Sequence, residues 1–262
     1  MATQSIINRA NANFIDSFWA LQKEIPGARI ERWPDATATF CANAPAFPNT
    51  LFVMRAPPDP RALMRRARAS LGDANYWEIL TASDLKDLVG PAAEEIGMVA
   101  HEGMPGMMLK PIPAIPFGVS IAPVRHVTTM EGLQDFNVAV AEGYGAPVSM
   151  IASSFPKIPD LKGRGEGVAQ LFVCYNDGRP VAGSALIESY GIGGIYWVAT
   201  RPESRRHGFG AAVTWAAVEM ALEHGCEACH LVSSKMGRHV YEQMGFRRVV
   251  DYPEWRTPDK RD

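Results

Sequence analysis

Residues 205–210, Arg-Arg-His-Gly-Phe-Gly, have the types and spacing of an anion-binding turn. We expect a strand to end before this turn and a helix to begin within it. The first amides of a helix have no carbonyl partner inside the helix and lie at the positive end of its dipole. Glycine at 208 and 210 has no Cβ to hold a ligand away from the backbone. The pattern therefore predicts a site for the phosphate or pyrophosphate of a phosphorylated cofactor.

Two other chemistries fit these sequence patterns less well. The turn lacks the Lys-Ser/Thr pair of a P-loop, and no ribose-binding acid follows on the expected pattern, which disfavours a nucleotide-binding protein. Residues 226–230, Cys-Glu-Ala-Cys-His, match the attachment pattern of c-type haem and contain a redox spacing. Because these cysteines fall where a helix is expected to end and a strand to begin, we favour a packing role for them.

Composition is that of an ordinary globular protein. The 262 residues are 47% hydrophobic and 21% charged, with a formal net charge of −2. This charge gives no reason to expect nucleic acid or an anionic membrane as a partner. The first residues lack the basic and then apolar pattern of a signal peptide, so we expect a cytoplasmic protein.

Hydrophobic periodicity in the second half predicts an α/β (α+β) fold, a mixed sheet flanked by helices. Asn176-Asp177-Gly178 is a strong hairpin signal, and Ser234 is placed to cap a helix beginning at Lys235. The predicted strands cover 120–127, 168–175, 181–188, 195–200, 228–232 and residues around 246–252, and the predicted helices cover 129–142, 147–153, 209–224 and 235–243.

The first half repeats part of this order. After a helix at 6–24, we predict strands at 28–33, 36–42, 51–55, 76–80, 97–101 and 106–110, and helices at 60–71 and 83–95. This repetition fits either an ancient duplication or chance agreement of short patterns. The Pro-rich run 110–116 predicts a boundary near residue 116, which gives domains 1–116 and 117–262. The matching junction, residues 56–60, has three prolines and no glycine, so we expect no cofactor site in the first domain.

These motifs resemble the GCN5-related N-acetyltransferase (GNAT) superfamily. Residues 205–210 are similar to its Arg/Gln-x-x-Gly-x-Gly/Ala acyl-CoA signature, and the approach Val198-x-x-x-Pro202-x-x-Arg205 matches as well. Residues 241–246, Tyr-Glu-Gln-Met-Gly-Phe, look like its Tyr-x-x-x-Gly-Phe ending. The resemblance covers about 117–255, and the first domain is a candidate degenerate copy of the same fold, as in tandem members.

The resemblance implies acetyl-CoA as co-substrate and no metal. The pantetheine arm would pair with the backbone of Val198 and Thr200, and Tyr241 falls on the position of the general acid that protonates the departing thiolate. Ser234 stands where many members have an asparagine that contacts the cofactor, so that contact stays open. The resemblance assigns the pyrophosphate to the signature turn, whose residues are Arg205, Arg206, His207, Gly208, Phe209, Gly210 and Ala211.

Direct attack requires a neutral amine, so a base or a water chain to one is expected. Glu188 and His230 are the candidates, although the first is equally a solvated strand end and the second a core histidine. We expect the amine of a small molecule, amino acid or peptide as acceptor, in a pocket formed by residues 143–167 and the strand 181–188. A homodimer is compatible with the sequence.

A non-catalytic acyl-CoA-binding sensor or interaction protein is the main alternative to an enzyme. Tyr241 favours the enzyme, whereas the lack of an obvious base favours the sensor.

Overall fold

The computed structural model describes residues 2–23, 25–41, 49–71, 77–114, 122–155 and 169–258. The chain divides into two compact units, neither continuous in sequence. The larger unit contains residues 1–21 and 107–249, and the smaller unit contains residues 22–106 and 250–262. The boundary predicted near residue 116 lies outside the described residues.

The elements up to residue 109 alternate between strands and helices much as the sequence predicts. A 3-10 turn, Ser83–Leu85, leads into the third helix. The two strands expected at 97–101 and 106–110 are one continuous strand, β5. The elements are α1 (Ala2–Gln22), β1 (Arg29–Arg32), β2 (Thr37–Phe40), β3 (Asn49–Val53), α2 (Pro60–Leu71), β4 (Trp77–Thr81), α3 (Lys86–Glu95) and β5 (Val99–Leu109).

The elements after residue 122 supply the predicted anion-binding turn and its surroundings. They are β6 (Val124–His126), α4 (Met130–Tyr144), α5 (Val148–Ser154), β7 (Ala169–Asn176), β8 (Arg179–Ser189), β9 (Ile192–Thr200), α6 (Phe209–Glu223), β10 (Ala228–Val232), α7 (Arg238–Gln243) and β11 (Arg247–Arg256). Helix α7 begins at Arg238 and not at Lys235, because residues 235–237 form a turn in which Gly237 N donates to Ser234 Oγ (3.1 Å).

The larger unit is a sheet with helices on both faces. Its strand order is β5-β10-β9-β8-β7-β6, and only β9 and β10 form a parallel pair among the registers described there. Helix α6 covers one face, where a Cβ on Gly193 would lie 2.6 Å from Ala221 Cβ. Helix α4 covers the other face, where a Cβ on Gly183 would lie 2.9 Å from Val140 Cγ2. Glycine thus lets both helices approach the sheet closely.

Helix α1 lies on the same face as α4 and is fixed by one asparagine. Asn13 Nδ2 donates to Ile187 O (2.9 Å), Ser189 Oγ (2.9 Å) and Ile192 O (3.2 Å), and Asn13 Oδ1 accepts from Tyr196 (2.7 Å). Both the nitrogen and the oxygen of this buried amide are bound by groups of β8 and β9. The N-terminal helix therefore belongs to the larger unit, with residues almost two hundred positions away.

The hairpin between β7 and β8 follows the prediction. Asp177 (φ 49°) and Gly178 (φ 77°) both lie in the left-handed region, as a two-residue turn that matches strand twist requires. Asp177 tolerates this region better than most residues, and glycine has no steric penalty there.

The smaller unit repeats the order of elements of the larger one. Strands β1, β2 and β3 pair antiparallel in succession, and β3 pairs parallel with β4 across α2. Strands β7, β8, β9 and β10 have the same orientations, with α6 as the crossover. Strand β11 lies next to β4 and antiparallel to it. A core cluster that includes Leu51, Leu63, Ile79, Val89 and Trp255 fills the space under α2 and α3.

Candidate functional site

The candidate site begins where β9 loses its parallel neighbour. Pairing with β10 runs from Ala228↔Ile192 to Leu231↔Ile195, whereas β9 continues to Thr200. Residues 196–200 therefore present one edge of the strand without a β10 partner. An exposed strand edge offers N–H and C=O groups to an extended, amide-bearing ligand.

A bulge interrupts β9 at this edge. The register with β8 passes from Tyr196↔Ala185 to Ala199↔Gly183, which leaves Trp197 and Val198 opposite one residue. Trp197 has a φ of 56°, a conformation that is costly for a bulky side chain. Such bulges turn backbone groups out of the ladder and are enriched beside active sites.

The direction of the backbone groups can be read from the next residue. Arg201 N donates to Val181 O (2.9 Å), on the β8 side. Because the backbone groups of successive strand residues point to opposite edges, those of Thr200 face the open edge. The backbone groups of Thr200, and by the same alternation those of Val198, therefore face the open edge, to which the resemblance assigned a pantetheine arm.

The signature turn directly follows this edge. Residues 202–204 form a 3-10 turn, Arg206 has a φ of 66°, and Gly208 has a φ of 84° just before Phe209 begins α6. Ala212 N donates to Gly208 O (2.9 Å), the first bond of the helix. Within the described residues, the amides of 206–211 make no hydrogen bond to a protein acceptor. They form a set of donors at a helix N-terminus.

Arg205 supports this turn from behind. Its Nε donates to Thr200 O (3.2 Å) and its Nη2 donates to Gly143 O (2.9 Å). The guanidinium therefore connects the turn to the end of β9 and to the last residues of α4. The resemblance assigned Arg205 to the cofactor turn, and in the structure its side chain binds two protein carbonyls.

The site fits a diphosphate in three respects. The first turn of α6 carries no acidic residue, and Gly208 offers no capping side chain that would occupy the amides. A Cβ on Gly210 would lie 3.1 Å from Thr200 Oγ1, so the glycine keeps the turn close to β9. A negatively charged ligand is stabilised here by the amides and the helix dipole together.

The strand-to-helix junction of the smaller unit, residues 53–60, differs from this site. There the N-terminus of α2 is capped by its own carboxylate, since Asp59 Oδ1 accepts from Ala62 N (3.0 Å). Strand β3 also stays paired with β4 up to its last residue, Val53↔Thr81. At this junction a carboxylate occupies one of the first helix amides and the strand is paired to its end, in contrast to residues 206–211 and the end of β9.

Tyr241 lies on α7 in the core cluster that α6 covers. It is 8% exposed, and its ring meets Phe246 edge-on at 6.0 Å. A Cβ on Gly237 would lie 3.0 Å from the Tyr241 ring and 3.4 Å from Ser234 Oγ, so Ser234 and Tyr241 share one turn. Burial, and then the charge of Tyr144, raise the pKa of the Tyr241 hydroxyl. A phenol kept neutral in this way can donate a proton.

Tyr144 lies within the predicted acceptor-pocket range 143–167, although the sequence assigned it no role. It ends α4, and its hydroxyl donates to Val198 O across 3.5 Å, while its ring meets Trp197 edge-on at 5.8 Å. Burial of the hydroxyl raises the pKa of Tyr144 to about 12, although the residue as a whole is exposed. No motif marks this position, because its contact depends on α4 crossing the bulge of β9.

Glu188, one of the two predicted bases, is engaged elsewhere. Its carboxylate binds His224 Nδ1 (2.8 Å) and accepts from Cys226 Sγ (3.3 Å). It pairs with Gly193, five residues before Val198, which corresponds to about 16 Å along the strand. Its contacts and position argue for a structural role in joining the end of β8 to the start of β10.

His230, the other predicted base, is fully buried on the face that α1 covers. It lies opposite Gly194 in the ladder, and its ring meets that of Phe14 at 6.4 Å. Burial lowers the pKa of His230 to about 3, so the neutral imidazole is a very weak base. The structure thus favours the alternative of a core histidine.

Aromatic side chains line the α4 face beside the bulge. Phe155 meets Trp197 edge-on at 5.4 Å and Phe136 at 5.0 Å. Residues 156–167 of the predicted acceptor pocket lie outside the described residues. In the described ranges, no group of three or more His, Cys, Asp or Glu residues has the arrangement of a metal site. None of the helices described has both the length and the apolar character needed to cross a membrane.

Comparisons with known proteins find one family match and solved structures of similar fold. Residues 149–246 match the model of the acetyltransferase (GNAT) family. A GCN5-related N-acetyltransferase from Kribbella flavida has a TM-score of 0.69 at 19% identity, covering 95% of this chain and 96% of that one. Another from Sphaerobacter thermophilus has a TM-score of 0.59 at 17% identity, covering 85% and 76%.

A tandem GNAT protein from the clavulanic acid biosynthesis pathway is also similar, with a TM-score of 0.56 at 16% identity, covering 90% of this chain and 86% of that one. No curated relative matches the sequence. At these identities the structural likeness shows the fold, which confirms the predicted GNAT-like mixed sheet flanked by helices.

Proposed function

We propose that this chain, which contains a domain of the GNAT superfamily, transfers the acetyl group of acetyl-CoA to a primary amine of a small molecule, amino acid or peptide. The transfer is direct, with both substrates bound at once. The family match and the fold support acetyl transfer in general, and the donor, the acceptor and the residue roles are our assignment.

The observation that carries this proposal is the continuity of two donor sets. The open edge of β9, residues 196–200, leads directly into the amides of residues 206–211 at the start of α6. An extended pantetheine arm matches the first set and a diphosphate matches the second. The two halves of coenzyme A are joined in the same order.

Residue roles follow from this placement. The Val198 N–H is assigned to polarise the thioester oxygen, because the bulge turns this peptide out of the ladder. Tyr241 is assigned as the acid that protonates the departing thiolate, since burial keeps its hydroxyl neutral. The aromatic side chains of Phe155 and Trp197 supply an apolar wall for the acceptor.

A non-catalytic acyl-CoA-binding protein remains the second candidate, and one observation favours it. Glu188 is engaged by His224 and Cys226, and His230 is buried under Phe14, so neither predicted base is placed to accept a proton from an incoming amine. Such a protein would keep the donor sets described above and bind CoA without turnover.

Thiol release separates the two candidates. The purified chain is incubated with acetyl-CoA and a panel of alkyl amines, aryl amines, amino acids and short peptides, and free CoA is followed with a thiol reagent. The enzyme proposal predicts amine-dependent release together with an acetylated product of matching mass. Tight CoA binding with no acetylated product across the panel would support the sensor instead.

A further inference from the structure

Three aromatic rings form a corner beside the carbonyl oxygen of Val198. The ring of Trp197 meets Tyr144 edge-on, with 5.8 Å between centroids and 84° between planes, and meets Phe155 edge-on at 5.4 Å and 89°. The hydroxyl of Tyr144 donates to Val198 O at 3.5 Å. These three side chains, Tyr144, Trp197 and Phe155, are called the aromatic corner below. The corner borders the strand edge to which the thioester is assigned.

The aromatic corner has a rigid base and an open side. Phe155 is 4% exposed and packs edge-on against buried Phe136 at 5.0 Å. Tyr144 is 54% exposed, and Trp197 is half-buried. Edge-to-face contacts are a preferred arrangement of aromatic rings, so the exposed rings are held in place by buried ones. The corner therefore offers a preformed apolar surface, which is the usual lining of a small-molecule site.

The two helices that carry Tyr144 and Phe155 provide no free carboxylate next to the aromatic corner. Helix α5 contains no acidic residue. Of the three acids on α4, Asp135 and Glu142 are bound by a tyrosine hydroxyl and by an arginine. The third, Glu131, precedes Tyr144 by thirteen residues, which is about 20 Å along the helix. A second ammonium group on an acceptor would therefore find no counter-charge on these helices.

The carbonyl oxygen of Val198 is the polar group of this arrangement. The backbone groups of Val198 face the open edge, and the proposed function assigns its N–H to the thioester oxygen. The carbonyl oxygen of the same residue can accept a hydrogen bond from the nitrogen of an amine. Its present bond from Tyr144 is at the long limit of a hydrogen bond and is replaced at little cost. An amine bound there by its nitrogen has the aromatic corner beside its carbon chain.

We propose that the aromatic corner selects the acceptor, and that the preferred acceptor is a primary amine joined through a short alkyl chain to an aromatic ring, with no second charged group. This inference rests on the proposed acetyl-transfer function and names its substrate class. Ring-to-ring contact and burial of apolar area favour such an amine over one without a ring by about 10-fold in kcat/KM.

The test compares three acceptors with the purified chain at saturating acetyl-CoA. They are 2-phenylethylamine, hexylamine, which is apolar but has no ring, and 1,4-diaminobutane, which has a second charge. We expect kcat/KM for 2-phenylethylamine to exceed that for hexylamine about 10-fold and that for 1,4-diaminobutane about 100-fold. Calorimetry of the same amines with the CoA-bound chain measures their binding without turnover.

Variants of Tyr144 test the ring itself. Tyr144→Leu should lower kcat/KM for 2-phenylethylamine about 10-fold, mainly through KM, and that for hexylamine by less than about twofold. Tyr144→Phe keeps the ring and should recover most of the loss. Tyr190→Leu is the matched control, because Tyr190 is also exposed (40%) but precedes the opposite end of β9, and it should leave both amines unchanged. Thermal unfolding and calorimetry with CoA establish that each variant folds and binds the cofactor.

Each outcome separates this inference from the proposed function. Equal kcat/KM for 2-phenylethylamine and hexylamine, or equal losses for both amines in Tyr144→Leu, would overturn the inference and leave acetyl transfer intact. If 2-phenylethylamine bound the CoA-loaded chain but was not acetylated, the amine site would be supported and the transfer contradicted. A chain that neither binds nor acetylates 2-phenylethylamine has no such site.

Discussion

The guanidinium of Arg205 donates to the carbonyl oxygen of Gly143, 2.9 Å away, and so connects the signature turn to the C-terminal end of α4. The same side chain also binds Thr200 O, at the end of the open strand edge. One arginine therefore fixes the signature turn relative to the helix that carries Tyr144. The arginine at the start of the turn therefore supports the turn itself, because its side chain binds two protein carbonyls.

Arg205→Ala is expected to weaken CoA binding about 10-fold, because charge-assisted hydrogen bonds that hold the turn contribute about 1–2 kcal/mol. Arg205→Lys should recover only part of the loss, since a point donor does not bind two carbonyls as the planar guanidinium does. Calorimetry with CoA measures both. Arg179→Ala, at the exposed hairpin, is the control, and an Arg205→Ala variant that matches its affinity would contradict this role.

Substitution of Gly208 should separate stability from binding. Gly208 is the N-cap of α6 with a φ of 84°. Asparagine and aspartate tolerate this region best among other residues, and an acidic side chain stabilises a helix N-terminus. Gly208→Asp should therefore leave the thermal midpoint nearly unchanged while it abolishes measurable CoA binding through steric overlap and repulsion of the diphosphate.

Gly208→Asn tests the contribution of charge. It has almost the same shape without the negative charge, so we expect weakened but measurable CoA binding in calorimetry. Equal affinities for the Asp and Asn variants and the wild type would show that the diphosphate does not lie at this turn.

Gly143→Ala should destabilise the protein because α4 has no room to carry a side chain there. A Cβ would lie 2.7 Å from Ala199 Cβ and 3.0 Å from Thr200 N. Such overpacking costs about 1–3 kcal/mol in the free energy of unfolding, measured with urea. Gly132→Ala is the matched control in the same helix, since its nearest neighbour would be 3.4 Å away. A loss of equal size in both variants would contradict the close approach of α4 to β9.

Two buried carboxylates in the smaller unit, those of Glu78 and Glu254, should give the free energy of unfolding an unusual pH dependence. Burial, and then the charge of Glu254, raise the pKa of Glu78 from 4.5 to about 8, and Thr50 Oγ1 donates to Glu78 Oε1 at 2.9 Å. Arg256 lies beside both carboxylates. The folded chain therefore holds a proton on Glu78 that the unfolded chain releases at neutral pH.

The direction in which stability changes with pH follows from this proton. Stability contributed by neutral Glu78 is complete below pH 4.5 and is lost as pH rises towards 8, by at most about 1.4 kcal/mol per pH unit. Between pH 6 and pH 8, the free energy of unfolding measured with urea should fall less in Glu78→Gln than in the wild type. Glu95→Gln, which changes an exposed carboxylate bound to Arg61, should keep the wild-type loss. If the free energy of unfolding changed equally with pH in the wild type and in both variants, the raised pKa of buried Glu78 would be contradicted.

Much of this fold could be predicted from the sequence because its signals are local. The hairpin at Asp177 and Gly178 follows from their tolerance of positive φ, and the start of α6 at Phe209 follows from the glycine that precedes it. The open edge of β9 was expected from the resemblance to a family whose motifs flank it. These features depend on residues close together in the chain.

The remaining features depend on contacts between distant residues. Asn13 fixes α1 through atoms of Ile187, Ser189 and Ile192, and no local pattern near residue 13 indicates this. Tyr144 reaches the site only because Gly143 lets α4 lie against Ala199. The burial of His230 under Phe14 likewise depends on where α1 packs, which the sequence did not indicate.

A crystal structure of the chain with bound CoA tests the central assignment most directly. We predict that the diphosphate oxygens accept hydrogen bonds from the amides of residues 206–211, with the pantetheine arm along residues 196–200 of β9. A complex in which the diphosphate lies at any other part of the chain would contradict the assignment.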